Sequence, residues 1–228
     1  MELCIALDLP TKNENLELLK KLDSTKNIWL KVGLRSFIRD GVDFLKQIKQ
    51  IDSKFKIFLD LKLYDIPNTM IDSIGEIVQL NVDMLTIHAS SGREAMSAVM
   101  ESLKNVKNAP LVMAVTALTS FDKQGFQEIY NAELESQVLD FAKMAKECGV
   151  NGVVCSCVES LAIKEQNGSN FLTLTPGIRP FGEDSNDQKR VATLEIAKQA
   201  KSDFIVVGRP IYKAQNPSEI VKRILQNL

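Results

Sequence analysis

Eight short apolar runs, separated by longer amphipathic segments, constrain the fold of this 228-residue chain more than any other feature. The runs cover residues 3–7, 28–32, 55–61, 84–87, 111–116, 152–155, 171–175 and 204–207. Each is nearly continuous in apolar residues, which is the pattern of parallel strands covered on both faces. Between the runs, apolar positions follow helical spacing, as at Leu134, Val138, Phe141 and Ala145, and Gly149 follows as a stop signal. The alternation predicts eight strand–helix units.

Eight such units in a chain of this length predict a single (β/α)₈ TIM barrel that spans residues 1–228 as one domain. A doubly wound sheet usually has fewer strands, and no segment rich in Pro, Gly or Ser divides the chain. The last predicted helix begins at Asn216, a candidate N-cap, with Pro217 next and Glu219 at the third position. Residues 176–187 form the longest segment without clear periodicity, and we expect a mobile loop over a site there.

The composition excludes several classes of function. With 28 Lys and Arg against 29 Asp and Glu, the formal net charge of −1 gives no long-range attraction to nucleic acid or to an acidic membrane. No apolar stretch approaches the roughly 18 to 20 residues of a membrane span. The first ten residues lack both a basic n-region and a small-residue cleavage site, so we expect a mature cytoplasmic protein.

The four cysteines, Cys4, Cys148, Cys155 and Cys157, do not form a disulfide framework at this chain length. Cys155 and Cys157 flank a single serine, a spacing that leaves a metal or redox pair open. The whole chain has one histidine, however, so buried thiols are the better interpretation and no metal site is expected.

Polar residues at the ends of the predicted strands are the candidate functional groups, because chemistry in such barrels occurs where the strands end. These residues are Asp8, Lys31, Asp60, Lys62, His88, Thr116, Thr119 and Arg209. Any single one is readily explained as a solvated strand end. Charges at four exits, each within an apolar run, are harder to explain by coincidence.

The third strand carries the densest charge. Alternation in Asp60-Leu61-Lys62 places both charged side chains on one face, where they would meet Asp8 and Lys31 in the barrel mouth. A purely structural ion-pair network is the alternative. Desolvation of buried charges can exceed their Coulomb attraction, so function is the better reason to keep them.

Two further signals are weaker. Gly208 and Arg209 follow the eighth strand, where a free backbone N–H and a guanidinium suit phosphate oxygens, although a plain turn has the same pattern. His88 fits a general base or a hydrogen-bonded structural group equally well.

Seven segments together identify a known family. They are ALDLP with Asp8, LKVG with Lys31, FLDLKLYDIPNT with Asp60, Lys62, Asp65 and Thr69, TIHAS with His88, VTALTS with Thr119, TPGIRP with Arg179 and the following Gln188, and VVGRPI with Gly208 and Arg209. With them the chain resembles, over essentially its full length, the orotidine 5′-monophosphate decarboxylase family of bacterial type. The motif D-x-K-x-x-D followed by I-P-N-T is highly specific, whereas D-x-K-x-x-D alone is shared with related barrels.

The resemblance implies removal of CO₂ from C6 of orotidine 5′-monophosphate (OMP) without a cofactor, giving UMP in pyrimidine synthesis. The catalytic network would comprise Lys31, Asp60, Lys62 and Asp65, with Lys62 as the proton donor to C6. The family supplies Asp65 from the neighbouring subunit, so the resemblance also implies a homodimer with shared active sites.

The same resemblance implies the substrate contacts. Asp8, Lys31 and the partner's Thr69 would bind the ribose hydroxyls, and Asp60 would lie near the leaving carboxylate. Thr119 would meet the pyrimidine amide. The phosphate would be bound by Gln188, Arg209 and the backbone of Gly208. Arg179 belongs to the binding set without an assigned contact.

Two alternatives remain. One is a Mg²⁺-dependent sugar-phosphate lyase or aldolase on the same barrel, such as hexulose-phosphate synthase, in which the carboxylates help hold a metal. The I-P-N-T continuation, the V-T-x-L-T segment and Gln188 argue against it. The other is a non-catalytic nucleotide-binding or assembly protein, which would need a broken charge network. All four charged positions of that network are present.

Overall fold

The computed structural model describes residues 1–22, 28–184 and 190–228. Within these residues, eight strands close a barrel in the order β1 to β8, with β8 pairing back onto β1. Every adjacent pair is parallel. The predicted single-domain (β/α)₈ barrel is therefore confirmed.

The strands lie where the apolar runs predicted them, with ends that differ by no more than two residues. Their bounds are β1 Glu2–Ala6, β2 Ile28–Gly33, β3 Lys56–Leu63, β4 Met84–His88, β5 Leu111–Val115, β6 Gly152–Val154, β7 Leu172–Thr175 and β8 Phe204–Val207.

Helices follow the strands and pack around the barrel. Their bounds are α1 Lys12–Lys20, α2 Leu34–Ile51, α3 Pro67–Val78, α4 Gly92–Leu103, α5 Lys123–Tyr130, α6 Leu134–Glu147, α7 Cys157–Asn167, α8 Leu194–Gln199, α9 Arg209–Tyr212 and α10 Pro217–Gln226. A short 3₁₀ turn, Ala89–Ser91, precedes α4. As predicted, Asn216 caps α10, and its side chain accepts a hydrogen bond from the N–H of Glu219. No helix within the described ranges is long and apolar enough to cross a membrane.

Two apolar layers hold the barrel together. The outer layer lies between the strands and the helices, and the inner layer fills the barrel itself. In the inner layer Trp29 packs edge-on against Phe204, with ring centroids 5.3 Å apart, and its Nε1 donates to Glu2 at 2.7 Å. This packing fills the barrel between its C-terminal mouth and the Glu2–Lys56 ion pair at the N-terminal ends of the strands.

The cysteines are buried free thiols, as predicted. Burial raises the pKa of the Cys155 thiol well above its ordinary value, and the nearby Glu159 raises it further. The described residues contain no cluster of three or more His, Cys, Asp and Glu side chains that could hold a metal ion.

The predicted loop over the site begins where β7 ends. Its described part turns back on the chain, because Ile178 forms a parallel bridge with Ala192 and the N–H of Arg179 donates to the Ala192 carbonyl at 2.8 Å. Residues 185–187 of this loop lie outside the described residues.

Candidate active site

A cavity of about 480 Å³ opens at the C-terminal ends of the strands. Apolar side chains of the inner layer, among them Phe58, Val115 and Val206, line its deep part. Its polar lining contains eight of the residues that the sequence predicted, namely Asp8, Lys31, Asp60, Lys62, Thr119, Arg179, Gly208 and Arg209. The structure thus brings most of the predicted site into one cavity.

The charged groups form a row in which carboxylates and ammoniums alternate. Asp8 Oδ2 lies 3.4 Å from Lys31 Nζ, which lies 3.7 Å from Asp60 Oδ2. The other oxygen of Asp60 lies 2.8 Å from Lys62 Nζ. Asp60 is therefore shared between two lysines, and its side chain is only 13% exposed.

The charges of this row stabilise one another. Burial alone would raise the pKa of Asp60, but Lys31 and Lys62 together hold that pKa below its ordinary value. Burial likewise tends to lower the pKa of Lys31, yet Asp60 and Asp8 raise it above its ordinary value. At neutral pH the site therefore holds a carboxylate at Asp60 and an ammonium at Lys31.

A bulge in β3 brings Lys62 to Asp60. Leu59 pairs with Leu85 and Leu63 with Ile87, so four steps along β3 correspond to two along β4. Lys62 takes a left-handed backbone conformation with φ of 53°. The two side chains meet as expected, but through this bulge and not through the regular alternation from which their proximity was predicted.

Thr86 is a buried residue that the sequence reasoning missed. Its Oγ1 accepts a hydrogen bond from the N–H of Lys62 at 2.9 Å and donates to Asp60 Oδ1 at 3.0 Å. Thr86 lies two residues before His88 at the end of β4, and the two side chains therefore share one face of the strand. This alternation could have identified Thr86 from the sequence.

Arg35 was also missed. It lies in the first turn of α2, lines the cavity, and donates to the Asp8 carbonyl at 3.4 Å. It lies three residues after the predicted end of the second strand, the same distance at which Thr119 follows the fifth, and this position is the signal that could have identified it.

The end of β8 lines the cavity beside the end of β1, with which it pairs. Gly208 packs closely, since a Cβ there would lie 3.3 Å from both the Cβ of Ala6 and a ring carbon of Tyr212. Arg209 follows as the first residue of α9 and lines the cavity. Gln188, predicted to accompany it, lies outside the described residues.

Arg179 is buried, with 5% exposure, and its guanidinium shapes the loop after β7. Nε donates to the Asp184 carbonyl at 2.7 Å, and another guanidinium nitrogen donates to the Ile178 carbonyl at 3.1 Å. These bonds close the described part of the loop beside the cavity.

The loop after β5 carries Thr119 into the cavity and is tied to two other elements. Arg190 donates to the Leu118 carbonyl at 3.0 Å and forms an ion pair with Glu159 in the first turn of α7. The positions of Thr119 and of the segment after β7 are thereby connected.

Asp65 and Thr69 lie outside the cavity and are exposed. The Asp65 carboxylate accepts a hydrogen bond from the N–H of Ile66 at 2.8 Å and lines a separate, open surface depression. Tyr64 and Ile66 line the same depression, with 63% and 67% exposure. The chain therefore does not bring Asp65 or Thr69 to its own Lys62.

His88 has a structural placement. Its Nδ1 accepts a hydrogen bond from the N–H of Ser90 at 3.2 Å, and its ring stacks on Tyr64 with centroids 5.7 Å apart. Burial lowers the pKa of His88, and the positive charge of Lys62 lowers it further. His88 does not line the cavity, which favours the structural interpretation over a general base.

Fold and site together define a class. The chain is a closed (β/α)₈ barrel with alternating carboxylates and ammoniums in a cavity at its C-terminal mouth, where barrel enzymes carry their active sites.

Residues 1–224 match the model of the orotidine 5′-phosphate decarboxylase / HUMPS family, and this chain belongs to that family. The orotidine 5′-phosphate decarboxylases of a Nitratiruptor species and of Wolinella succinogenes are each 60% identical over 228 residues, covering all of both chains. The crystal structure of the Lactobacillus acidophilus orotidine 5′-phosphate decarboxylase is 34% identical, covers 99% of this chain and 98% of its own, and superposes with a TM-score of 0.86. The Pyrococcus horikoshii enzyme of the same name, 24% identical with a TM-score of 0.78, shares the fold.

Proposed function

We propose that this chain decarboxylates OMP to UMP and CO₂ in pyrimidine synthesis, and that Lys62 protonates C6. One observation carries the proposal: the Lys62 ammonium lies 2.8 Å from the Asp60 carboxylate, inside a cavity at the barrel mouth. Membership in a family whose relatives bear the name of this activity supports it.

The chemistry explains why a fixed ammonium is needed. Breaking the bond between C6 and the carboxylate carbon leaves the electron pair on C6, in an orbital in the plane of the ring. The ring cannot delocalise this pair as an enolate. The developing negative charge on C6 must therefore be stabilised by a positive group next to it. A preorganised cation in a desolvated cavity stabilises such charge more strongly than water does. We assign this role to Lys62, whose ammonium lines the cavity beside Asp60.

The proton balance requires nothing beyond the chain and water. The Lys62 ammonium transfers one proton to C6, forms the C6–H bond of UMP, and regains a proton from solvent after CO₂ leaves. Asp60 would orient the ammonium before transfer and would lie near the substrate carboxylate. Repulsion between these carboxylates favours loss of CO₂.

The rest of the cavity suits a nucleotide. At the exit of β8, Arg209 and the backbone N–H of Gly208 offer donors for the phosphate. Gln188, which the resemblance adds to them, lies outside the described residues. At the neighbouring exits of β1 and β2, Asp8 and Lys31 offer an acceptor and a donor for the ribose hydroxyls. Thr119, on the β5 loop, offers a hydroxyl to the pyrimidine amide. Binding energy from the phosphate would favour closure of the loop after β7, of which residues 176–184 are described.

The active form is proposed to be a cytoplasmic homodimer with shared sites. Asp65 and Thr69 are exposed outside the cavity of their own chain, beside the exposed apolar side chains of Tyr64 and Ile66. Association of two copies through this surface would bury those side chains and bring Asp65 and Thr69 to the partner cavity.

Loss of OMP absorbance with purified protein tests the function, and Lys62→Ala tests the role of the lysine. Lys56→Ala is the matched control, because Lys56 lies at the other end of β3, where its Nζ is 3.5 Å from Glu2. We expect turnover by the unaltered chain and by Lys56→Ala, and its loss in Lys62→Ala. Full activity of Lys62→Ala would refute the proton-donor role, and no turnover by the unaltered chain would refute the function.

Chelation separates this proposal from the metal-dependent lyase. OMP decarboxylation should continue at an unchanged rate in excess EDTA. A loss of rate that Mg²⁺ restores would instead support the metal-dependent alternative.

A further inference from the structure

Thr86 lies directly beneath the reactive pair. It is 1% exposed, on the inward face of β4, and its single hydroxyl contacts both Asp60 and Lys62. A serine or threonine hydroxyl has one proton to donate and two lone pairs to accept with. Thr86 uses the proton for the Asp60 carboxylate and a lone pair for the Lys62 N–H.

The β3 bulge explains why such a hydroxyl is needed. In a regular strand, the N–H of Lys62 would donate to a backbone carbonyl of a neighbouring strand. The two extra residues of β3 disrupt this ladder, and the N–H donates instead to Thr86 Oγ1 at 2.9 Å. A left-handed lysine backbone is unfavourable and persists only when its surroundings fix it. Thr86 supplies one of the bonds that fix it.

The contacts close a ring. Asp60 Oδ1 accepts from Thr86 Oγ1 at 3.0 Å and from Lys62 Nζ at 2.8 Å, while Thr86 accepts from the backbone of the same lysine. The carboxylate, the ammonium and the backbone that carries it are thereby held in one arrangement. Loss of the hydroxyl would release the carboxylate and the lysine backbone together.

We propose that Thr86 is a positioning residue for the decarboxylation: it holds Asp60 and the bulged backbone of Lys62 so that the ammonium points at C6. This inference rests on the proposed function, because it assigns Thr86 a role through Lys62. Thr86 does not line the cavity, so its effect is exerted on the catalytic groups and not on the substrate.

Thr86→Val is the primary test, because valine keeps the branched shape and removes both hydrogen bonds. We expect kcat to fall by about 10- to 100-fold, the range for losing a hydrogen bond to a charged group or an outer support of a catalytic group. KM should stay within about threefold, because the ribose and phosphate contacts are untouched. Thr86→Ser, which retains the hydroxyl, should recover most of the lost kcat.

Thr173→Val is the matched control. Thr173 is fully buried on β7, and its hydroxyl bonds to Ser160 Oγ at 2.8 Å, away from the cavity. Both valine variants lose a buried hydroxyl, so both should lower the melting temperature, but Thr173→Val should keep its kcat. A lower kcat only in Thr86→Val, with rescue by serine, would separate positioning from stability.

Three outcomes would overturn the inference. The first is a kcat of Thr86→Val within about threefold of the unaltered chain. The second is an equal loss in Thr86→Ser. The third is failure of both Thr86→Val and Thr86→Ala to fold where Thr173→Val folds, which would assign Thr86 a purely structural role. Turnover of OMP by the unaltered chain, measured in parallel, reports separately on the proposed function, and Lys62→Ala reports on the role of the lysine.

Discussion

Asp60 and Lys62 form the shortest ion pair of the charged row, with 2.8 Å between Oδ1 and Nζ. The same carboxylate lies 3.7 Å from Lys31 through its other oxygen. One anion therefore compensates two cations in a largely buried site. Removal of the Asp60 carboxylate should therefore affect both lysines.

Asp60→Asn keeps the size of the side chain and an oxygen that can accept from Thr86, but it removes the charge between the two lysines. We expect kcat to fall by roughly 100-fold or more, in the range found when a preorganised electrostatic contact is lost. Steady-state kinetics with OMP would measure it. Asp43→Asn, in the exposed Lys12–Asp43 pair at 3.0 Å, is the control that should change neither kcat nor stability appreciably. Equal kcat values for the two variants would contradict the role of Asp60.

Stability should depend on the same row at both ends of the pH scale. The pKa of Asp60 is lowered in the folded state, so its contribution is present above the unfolded value of about 4 and is lost as pH falls through the folded value. The pKa of Lys31 is raised, so its contribution is present below about 10.4 and is lost as pH rises through the folded value.

Melting temperatures of the unaltered chain and of Asp60→Asn, measured from pH 3 to pH 11, would check this. We expect the melting temperature of the variant to change less with pH below about pH 4, because the titrating carboxylate of Asp60 is absent. It should also change less above about pH 10, because Asp60 is one of the groups that raise the pKa of Lys31. If the two proteins gave parallel curves of melting temperature against pH, the ionisation of this charged row would not contribute to the stability of the fold.

Gly33 leaves space for the Lys31 ammonium. A Cβ at Gly33 would lie 3.0 Å from Lys31 Nζ and 3.5 Å from an oxygen of Asp8. The backbone there is extended, with φ of −89°, so alanine causes no backbone strain and acts only through this contact. We expect Gly33→Ala to displace the ammonium and to lower kcat/KM by roughly tenfold, since misplaced positioning groups are costly.

Gly75→Ala is the control for this substitution. Gly75 lies inside α3, and a Cβ there would meet nothing within 4 Å. It should stabilise the helix by about 1 kcal/mol and leave kcat/KM unchanged. An unchanged kcat/KM in Gly33→Ala would mean that Lys31 can shift without loss of binding.

The strands and the charged cavity could be predicted because their signals are local. A nearly continuous apolar run identifies a buried parallel strand, and a charge at the end of such a run identifies the barrel mouth. Asp8, Lys31, Asp60 and Lys62 were found in this way, and all four line the cavity.

The bulge and its hydrogen bonds could not be predicted, because they depend on how two strands pair. Nothing within residues 56–63 indicates that Lys62 adopts a left-handed conformation or that its N–H reaches Thr86, 24 residues away. The ion pair between Arg190 and Glu159 likewise joins segments 31 residues apart. Such contacts follow from the closed barrel and not from any single motif.

The placement of Asp65 separates the two halves of the motif D-x-K-x-x-D. Asp60 and Lys62 lie in the cavity, whereas Asp65 lies in a surface depression of the same chain. In a homodimer with shared sites, Asp65 of one subunit would join Asp60 and Lys62 of the other. Mixing two inactive variants tests whether the site is shared. Lys62→Ala and Asp65→Ala should each be inactive or nearly so, because each lacks one member of every site.

A mixed dimer of the two variants would contain one site with both residues intact and one site with neither. Random assortment makes about half of the dimers mixed, so subunit exchange should restore about a quarter of the unaltered activity per subunit. Unfolding and refolding the variants together, with each variant refolded alone as control, would measure the gain. If Asp65 instead served the cavity of its own chain, every site in the mixture would keep one defect. Activity would then stay at the sum of the separate variants, which would exclude the shared site.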